Sequence, residues 1–212
     1  MARTIAKDHA AKRAHILKTA AQVFAAEGVA RASMAQVARA CGISKANIYH
    51  YYGSKDALLF DILDSYLSTL RARVCTLPLA DMPPRARLHR FVSETLLAYD
   101  GMDAEHQIQT EGLPLLPAAE QEILRKYQRD MVRSLGDILV DIAPQSFENG
   151  AEKRRAATMS VFGMMNWYYK WNKGADQKAR AEYARIVSRL VLDGLGGLAE
   201  TDESVVRKTG PV

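Results

Sequence analysis

Cysteine is scarce in this chain. Its 212 residues contain two, Cys41 and Cys75, too few for a disulfide scaffold and without the paired spacing of a zinc site. No apolar run approaches the roughly 18 residues needed to span a bilayer, and the polar, basic start lacks the apolar stretch of a secretory signal. Those two absences predict a cytoplasmic protein. The five histidines (His9, His15, His50, His89, His106) form no metal-spaced pair, and there is no glycine-rich phosphate loop or serine-centred elbow. An enzyme is therefore disfavoured, and neither metal nor cofactor is expected. Alternating β-branched runs and internal repeats are also missing; nearly every long segment repeats at the helical period, which predicts an all-α fold of about nine helices. Apolar residues make up 48% and charged residues 25%, an ordinary globular balance that excludes wholesale disorder.

Positive charge is concentrated at one end. Residues 1–55 hold nine Lys/Arg (Arg3, Lys7, Lys12, Arg13, Lys18, Arg31, Arg39, Lys45, Lys55) against two acids (Asp8, Glu27), a net of +7. The remaining chain holds 20 basic and 22 acidic residues, a net of −2. A basic segment on a near-neutral body suggests an anionic partner for the first part only. Charge alone leaves open duplex DNA, an anionic membrane surface and a merely solvated face.

Punctuation divides the chain. A first helix of about 11–27, with Ile16, Ala20, Val23 and Phe24 on one face, ends near Gly28. Ser33-Met34-Ala35-Gln36 fits a capping box for a second helix whose inner stripe is Met34, Val37 and Ala38. Gly42 makes a sharp break, Ser44 caps a third helix, and Gly53 is expected to end it in the left-handed conformation. Ser54 caps a fourth, with Leu59, Ile62, Leu63, Tyr66 and Leu70 as its stripe. Pro83-Pro84 cannot lie inside a helix, and further helices are expected at about 85–99, 104–112, 117–143, 151–172 and 176–198. These signals give domains of 10–70 and 71–198, followed by a flexible tail at 199–212.

Three helices within residues 11–53, two of them separated by a tight glycine turn, are the helix-turn-helix arrangement, which presents a short helix to the DNA major groove. Residues 45–52 (KANIYHYY) would be that helix. Ile48 and one or two tyrosines suffice to hold it, leaving Lys45, Asn47 and His50, with Ala46 beside them, to meet base edges or phosphates. Tyr49, Tyr51 and Lys55 can reach phosphate oxygens. Three tyrosines and a histidine on four consecutive positions point all round a helix and cannot all be buried.

The stretch from Ile16 to Leu63 resembles the DNA-binding domain of the TetR (tetracycline-repressor) family. The likeness rests on Ala20, Phe24, Gly28, Ser33-Met34, Ala38, Gly42-Ile43-Ser44-Lys45, Ile48-Tyr49-His50-Tyr51-Tyr52, Ser54-Lys55 and Leu58-Leu59. Ala32 stands where threonine is frequent, and Tyr52 where phenylalanine is common. The resemblance implies an all-α homodimeric transcriptional regulator, usually a repressor, whose carboxyl-terminal domain binds a small inducer that moves the fourth helix. Carried onto this chain, it makes Lys45, Asn47, Tyr49, His50, Tyr51 and Lys55 the DNA contacts, with Ser33 and Gln36 supporting them.

In the body, the resemblance implies dimerisation through the last two helices, which carry Met164 and Trp171 on one and Val187, Val191 and Leu195 on the other. The segment FGMMNWYYKW (162–171) resembles more weakly the ligand domains of regulators of fatty-acid, acyl-CoA or aromatic-acid catabolism. Tyr66, Phe91, Tyr99, Tyr127, Met131, Phe162 and Asn166 are the expected ligand contacts, a mixture of aromatics and Met suited to an apolar inducer. An Asn in such surroundings needs a partner, in the protein or in the ligand.

Overall fold

The computed structural model describes residues 2–148 and 150–199. Among them lie nine α-helices and no strand: α1 (Ala2–Glu27), α2 (Met34–Ala40), α3 (Lys45–Tyr51), α4 (Lys55–Cys75), α5 (Pro84–Ala98), α6 (Asp103–Gly112), α7 (Ala118–Ile142), α8 (Ala151–Trp171) and α9 (Gln177–Gly194). Single 3-10 turns follow α6, α7 and α9. The all-α expectation holds. The tail expected at 199–212 lies outside the described residues, save Ala199.

α1 is longer than the sequence suggested, beginning at Ala2 rather than near residue 11. Residues 2–10 contain neither Gly nor Pro, so nothing stops the helix from running back beyond its apolar stripe.

The described chain divides into two compact units. One comprises residues up to Leu70 together with Met102–Gln128; the other comprises Arg71–Gly101 and the described residues from Arg129 onward. In the first, Ile16, Ala20 and Phe24 of α1, Met34, Val37 and Ala38 of α2, Ile48 of α3, and Leu58, Leu59, Ile62 and Leu63 of α4 form one buried core. α6 lies on α1, with Ile108 buried and Gln107 Nε2 donating to the Ala25 carbonyl at 3.0 Å. At Gly112 a Cβ would come within 3.1 Å of Leu59 Cδ1, so a larger residue in the last turn of α6 would push the Leu59 side chain aside.

In the second unit α5 packs along α9, burying Leu88, Phe91, Val92 and Leu96 with Ala184 and Val187. Arg180 is buried there, and its guanidinium donates to the Ala175 carbonyl at 3.1 Å and lies 3.8 Å from Asp100. α8 turns Val161, Phe162, Met165 and Tyr168 inward.

Candidate nucleic-acid interface

The interface is built by punctuation. Gly28 ends α1 at φ +82° and Gly42 ends α2 at φ +67°, both left-handed positions that glycine adopts freely. After α2, the Ile43 amide reaches back to the Ala38 carbonyl at 3.0 Å, closing the last turn as the chain breaks toward α3. Ser33 and Gln36 form the expected capping box: the Gln36 amide donates to Ser33 Oγ at 3.3 Å, and the Ser33 amide to Gln36 Oε1 at 2.8 Å. Ser44 caps α3 by accepting the Asn47 amide at 3.1 Å. Gly53 departs from expectation, since its φ is not positive. α3 ends instead at Tyr52, whose extended backbone (φ −138°, ψ 113°) breaks the helix without a left-handed residue.

α3 has one wholly buried side chain, Ile48. Lys45, Ala46, Asn47, Tyr49 and His50 are exposed and Tyr51 is half-buried. The Tyr51 ring stacks on His9 of α1 at 5.0 Å and meets His50 edge-on at 5.9 Å. An ammonium, a carboxamide, an imidazole and two phenols therefore share a two-turn helix projecting from a basic module, which is the chemistry that meets phosphates and base edges.

One expected contact, Lys55, and the residue that ends α3, Tyr52, have other work. The Lys55 ammonium donates to the carbonyls of Val29, Ala30 and Ala32 at 2.9, 3.1 and 3.2 Å, so all three of its protons bind the loop after α1. Lys55 thus ties the loop after α1 to the first turn of α4. Tyr52 is buried; its hydroxyl donates to Asp61 of α4, whose other carboxylate oxygen accepts the Arg13 guanidinium of α1. Sequence reasoning missed His9, Arg13 and Asp61. Asp61 lies beyond the basic segment and its partners come from α1 and the end of α3, so nothing local marks it.

The residues expected at a ligand site fall into separate groups. In the first unit, Tyr66 is buried with its hydroxyl 2.7 Å from His106 Nδ1, and the half-buried Tyr127 donates to Asp64 at 3.1 Å. In the second, the buried Tyr99 donates to Asn166 Oδ1 at 2.7 Å, so the protein itself supplies the partner that Asn166 needed. Burial also pushes the Tyr99 phenol well above its ordinary pKa. Phe91 meets Phe162 edge-on at 6.3 Å and is wholly enclosed, which makes it core rather than ligand-facing. Met131 and Phe162 are buried as well.

The expected dimer residues also divide. Val187 and Leu195 are buried inside the subunit and cannot meet a second chain; Val191 and Met164 are half-buried, and Trp171 is 58% exposed. Val187 faces inward because α9 lies on α5, and Leu195 because the 3-10 turn after α9 lies on the one after α7, where Ser146 Oγ donates to the Leu195 carbonyl. The outward apolar side is a neighbouring stripe: Met159 (49% exposed), Trp167 (63%) and Trp171 on α8, and Ile186 (47%) and Leu190 (61%) on α9.

The first unit thus presents a helix-turn-helix module of the DNA-binding kind. A family model for bacterial regulatory proteins of the tetR family matches residues 16–62, and one for the tetracyclin repressor-like C-terminal domain matches residues 81–195. The chain belongs to the TetR family, whose members are DNA-binding transcription factors rather than enzymes. A TetR-family transcriptional regulator from Bordetella parapertussis 12822 is 30% identical, with a TM-score of 0.80 over 89% of this chain and 98% of that one. The transcriptional repressor KstR2 of Rhodococcus jostii is 28% identical over 95 residues, 45% of each chain, so the chain spans less than half of that relative's length. AibR, solved with isovaleryl coenzyme A and operator DNA, shares the fold at 23% identity and TM-score 0.71 over 85% of this chain and 98% of its own. No described helix is long and apolar enough to cross a membrane.

Proposed function

We propose that the protein is a homodimeric, ligand-responsive regulator of transcription, acting as a repressor on a palindromic operator. One observation carries this reading: α3 buries Ile48 and turns Lys45, Ala46, Asn47, Tyr49 and His50 outward. Asn47 is suited to bidentate pairing with adenine and Ala46 to a thymine methyl, while Lys45, Tyr49, Tyr51 and His50 meet guanine or phosphate. Ser33 and Gln36 support from the start of α2. Lys55 is left out of the contact set.

A single module touches one half-site, and a useful operator needs two recognition helices about 34 Å apart or a multiple of it. The exposed stripe of Met159, Trp167, Trp171, Ile186 and Leu190, flanked by Met164 and Val191, is the surface we assign to the second subunit. Aromatics and aliphatics so exposed on two neighbouring helices mark an interface, and two such pairs close a four-helix bundle.

The inducer in this reading is an apolar acid, fatty or aromatic, or its coenzyme A thioester. What supports it is the apolar surroundings of the Tyr99–Asn166 hydrogen bond, a polar pair whose donor a ligand carbonyl can compete for. Met131 and Phe162, buried in the same unit, are its candidate apolar walls. α4, unbroken from Lys55 to Cys75, is the covalent path by which ligand and DNA influence one another. An inducer releases DNA only to the extent that it binds the DNA-free state more tightly.

The test is binding of the purified protein to duplex fragments across a salt series, with sedimentation of the same sample. The reading expects a dimer with affinity falling steeply as salt rises, and release of DNA on adding one thioester. A stable monomer that prefers anionic vesicles to duplex DNA would overturn it.

A further inference from the structure

Recognition of one sequence requires α3 to be held at one angle, yet its apolar anchoring is thin. Ile48 is the one side chain of α3 that is wholly buried, and the ring of Tyr52 at its carboxyl cap is the next anchor, 7% exposed. Apolar burial has no direction, so these two groups, with the half-buried Tyr51 ring on His9, fix the roll of α3 only loosely. A hydrogen bond does have direction. The Tyr52 hydroxyl donates to Asp61 on α4, and the Arg13 guanidinium of α1 holds the other oxygen of the same carboxylate.

The arrangement is built for a hydroxyl. Phenylalanine would fill the same space without needing a partner, whereas a buried tyrosine must find one. The acceptor is a carboxylate oxygen, which makes a stronger bond than a neutral acceptor, and the Arg13 guanidinium orients the group by binding its other oxygen. Asp61 is itself largely shielded, its side chain 17% exposed against 52% for Arg13, so little water competes. Burial first, and then the bond to Asp61, raise the Tyr52 phenol well above its ordinary pKa, so its proton stays in place at any pH where the protein works.

We infer that Tyr52, Asp61 and Arg13 form a positioning lock that fixes the pose of α3 and thereby sets how well the protein distinguishes its operator from other DNA. The inference rests on the DNA-binding reading above. Tyr52 and Asp61 touch no base; they act through Lys45, Asn47 and His50. Loosening them leaves the module's charge contacts with phosphate in place and blurs the base contacts. Arg13 is half exposed and can itself attract phosphate, so it is not the residue to change.

The experiment uses the full chain with Tyr52→Phe, Asp61→Asn and both together. Fragments enriched by the unmodified protein from a random duplex pool serve as specific DNA, and a shuffled fragment serves as non-specific DNA. For Tyr52→Phe we expect the ratio of specific to non-specific affinity to fall about fivefold, the order of coupling measured between contacting groups. Its non-specific affinity and salt slope should stay as they were, because no phosphate contact has gone. Asp61→Asn should lower the ratio likewise, and the double variant should add little to it, since both changes open one lock. A melting curve for each variant establishes that it is folded. An unchanged ratio in folded Tyr52→Phe, or a parallel fall in specific and non-specific binding, overturns the lock while leaving the DNA reading intact. If the unmodified protein enriches no sequence at all, the DNA reading and the lock fall together.

Discussion

Replacing Lys55 with methionine separates a structural tie from a DNA contact. The Lys55 ammonium gives its three protons to the carbonyls of Val29, Ala30 and Ala32, which pins the loop between α1 and α2 to the first turn of α4. Methionine keeps the stem and removes the charge. A hydrogen bond from a charged group is worth about 1.5–3 kcal/mol when its partner stays buried. Ala30 is exposed and its carbonyl can find water, while Val29 and Ala32 are buried. The three bonds therefore do not add in full, and the net cost is roughly 2–3 kcal/mol. At 2–4 °C per kcal/mol for a chain of this size, the melting temperature should fall by about 4–12 °C. A thermal melt followed by circular dichroism reads that loss. Duplex binding by the still-folded variant should keep the salt slope of the unmodified protein, because no phosphate contact is removed. The reasoning is refuted if Lys55→Met melts with the unmodified protein and its salt slope drops by about one unit, the mark of a lost phosphate contact.

Further expectations concern the body and the pH response. Leu190→Glu places a charge in the stripe of exposed apolar groups on α8 and α9; it should sediment as a folded monomer with operator affinity lowered at least tenfold, and a dimer of unchanged affinity would count against that interface. Arg180→Met removes the buried guanidinium that closes on the Ala175 carbonyl and should cost about 2–4 kcal/mol; a melt shifted by less than a degree would contradict it. The phenols of Tyr52 and Tyr99 are both raised by burial, so the unfolded chain releases their protons first as pH climbs past about 10. Their contribution to stability is whole below that pH and declines above it. Ultraviolet titration of the protein and of its Tyr52→Phe and Tyr99→Phe variants should show that each variant loses a phenol that ionises only as the fold gives way, and loss of a phenol that ionises at an ordinary pH instead would refute this.

Some of this was readable in the chain because local rules and burial agreed. Ser33 and Gln36 form the box their spacing announced, Ser44 caps α3, and Met34, Val37 and Ala38 are the buried stripe of α2 as the period required. α3 was legible for a different reason: its polar and aromatic groups point all round, which only an exposed helix tolerates. Other features depend on neighbours far along the chain. Lys55 is basic in a basic segment, and nothing local distinguishes an ammonium that meets phosphate from one that binds carbonyls 23–26 residues earlier. Asp61 has the same difficulty, since its partners come from α1 and α3. On α8 the run FGMMNWYYKW is apolar in several directions, so periodicity could not say which side faces inward. Near the end of the chain the expected residues mixed the buried Val187 and Leu195 with the half-buried Val191, while the exposed Leu190 lay beside them. Gly53 illustrates a third limit: glycine permits the left-handed conformation without requiring it.

In the proposed function α3 reads DNA twice, across a dimer axis. That reading is tested most directly by selecting duplexes from a random pool with the unmodified protein and with Asn47→Ala. The account predicts a two-fold symmetric consensus from the first, and from the second a consensus relaxed at one base pair in each half, at positions related by the dyad. A pool that shows no enrichment, or a consensus that Asn47→Ala leaves untouched along with variants of Lys45 and His50, would contradict it.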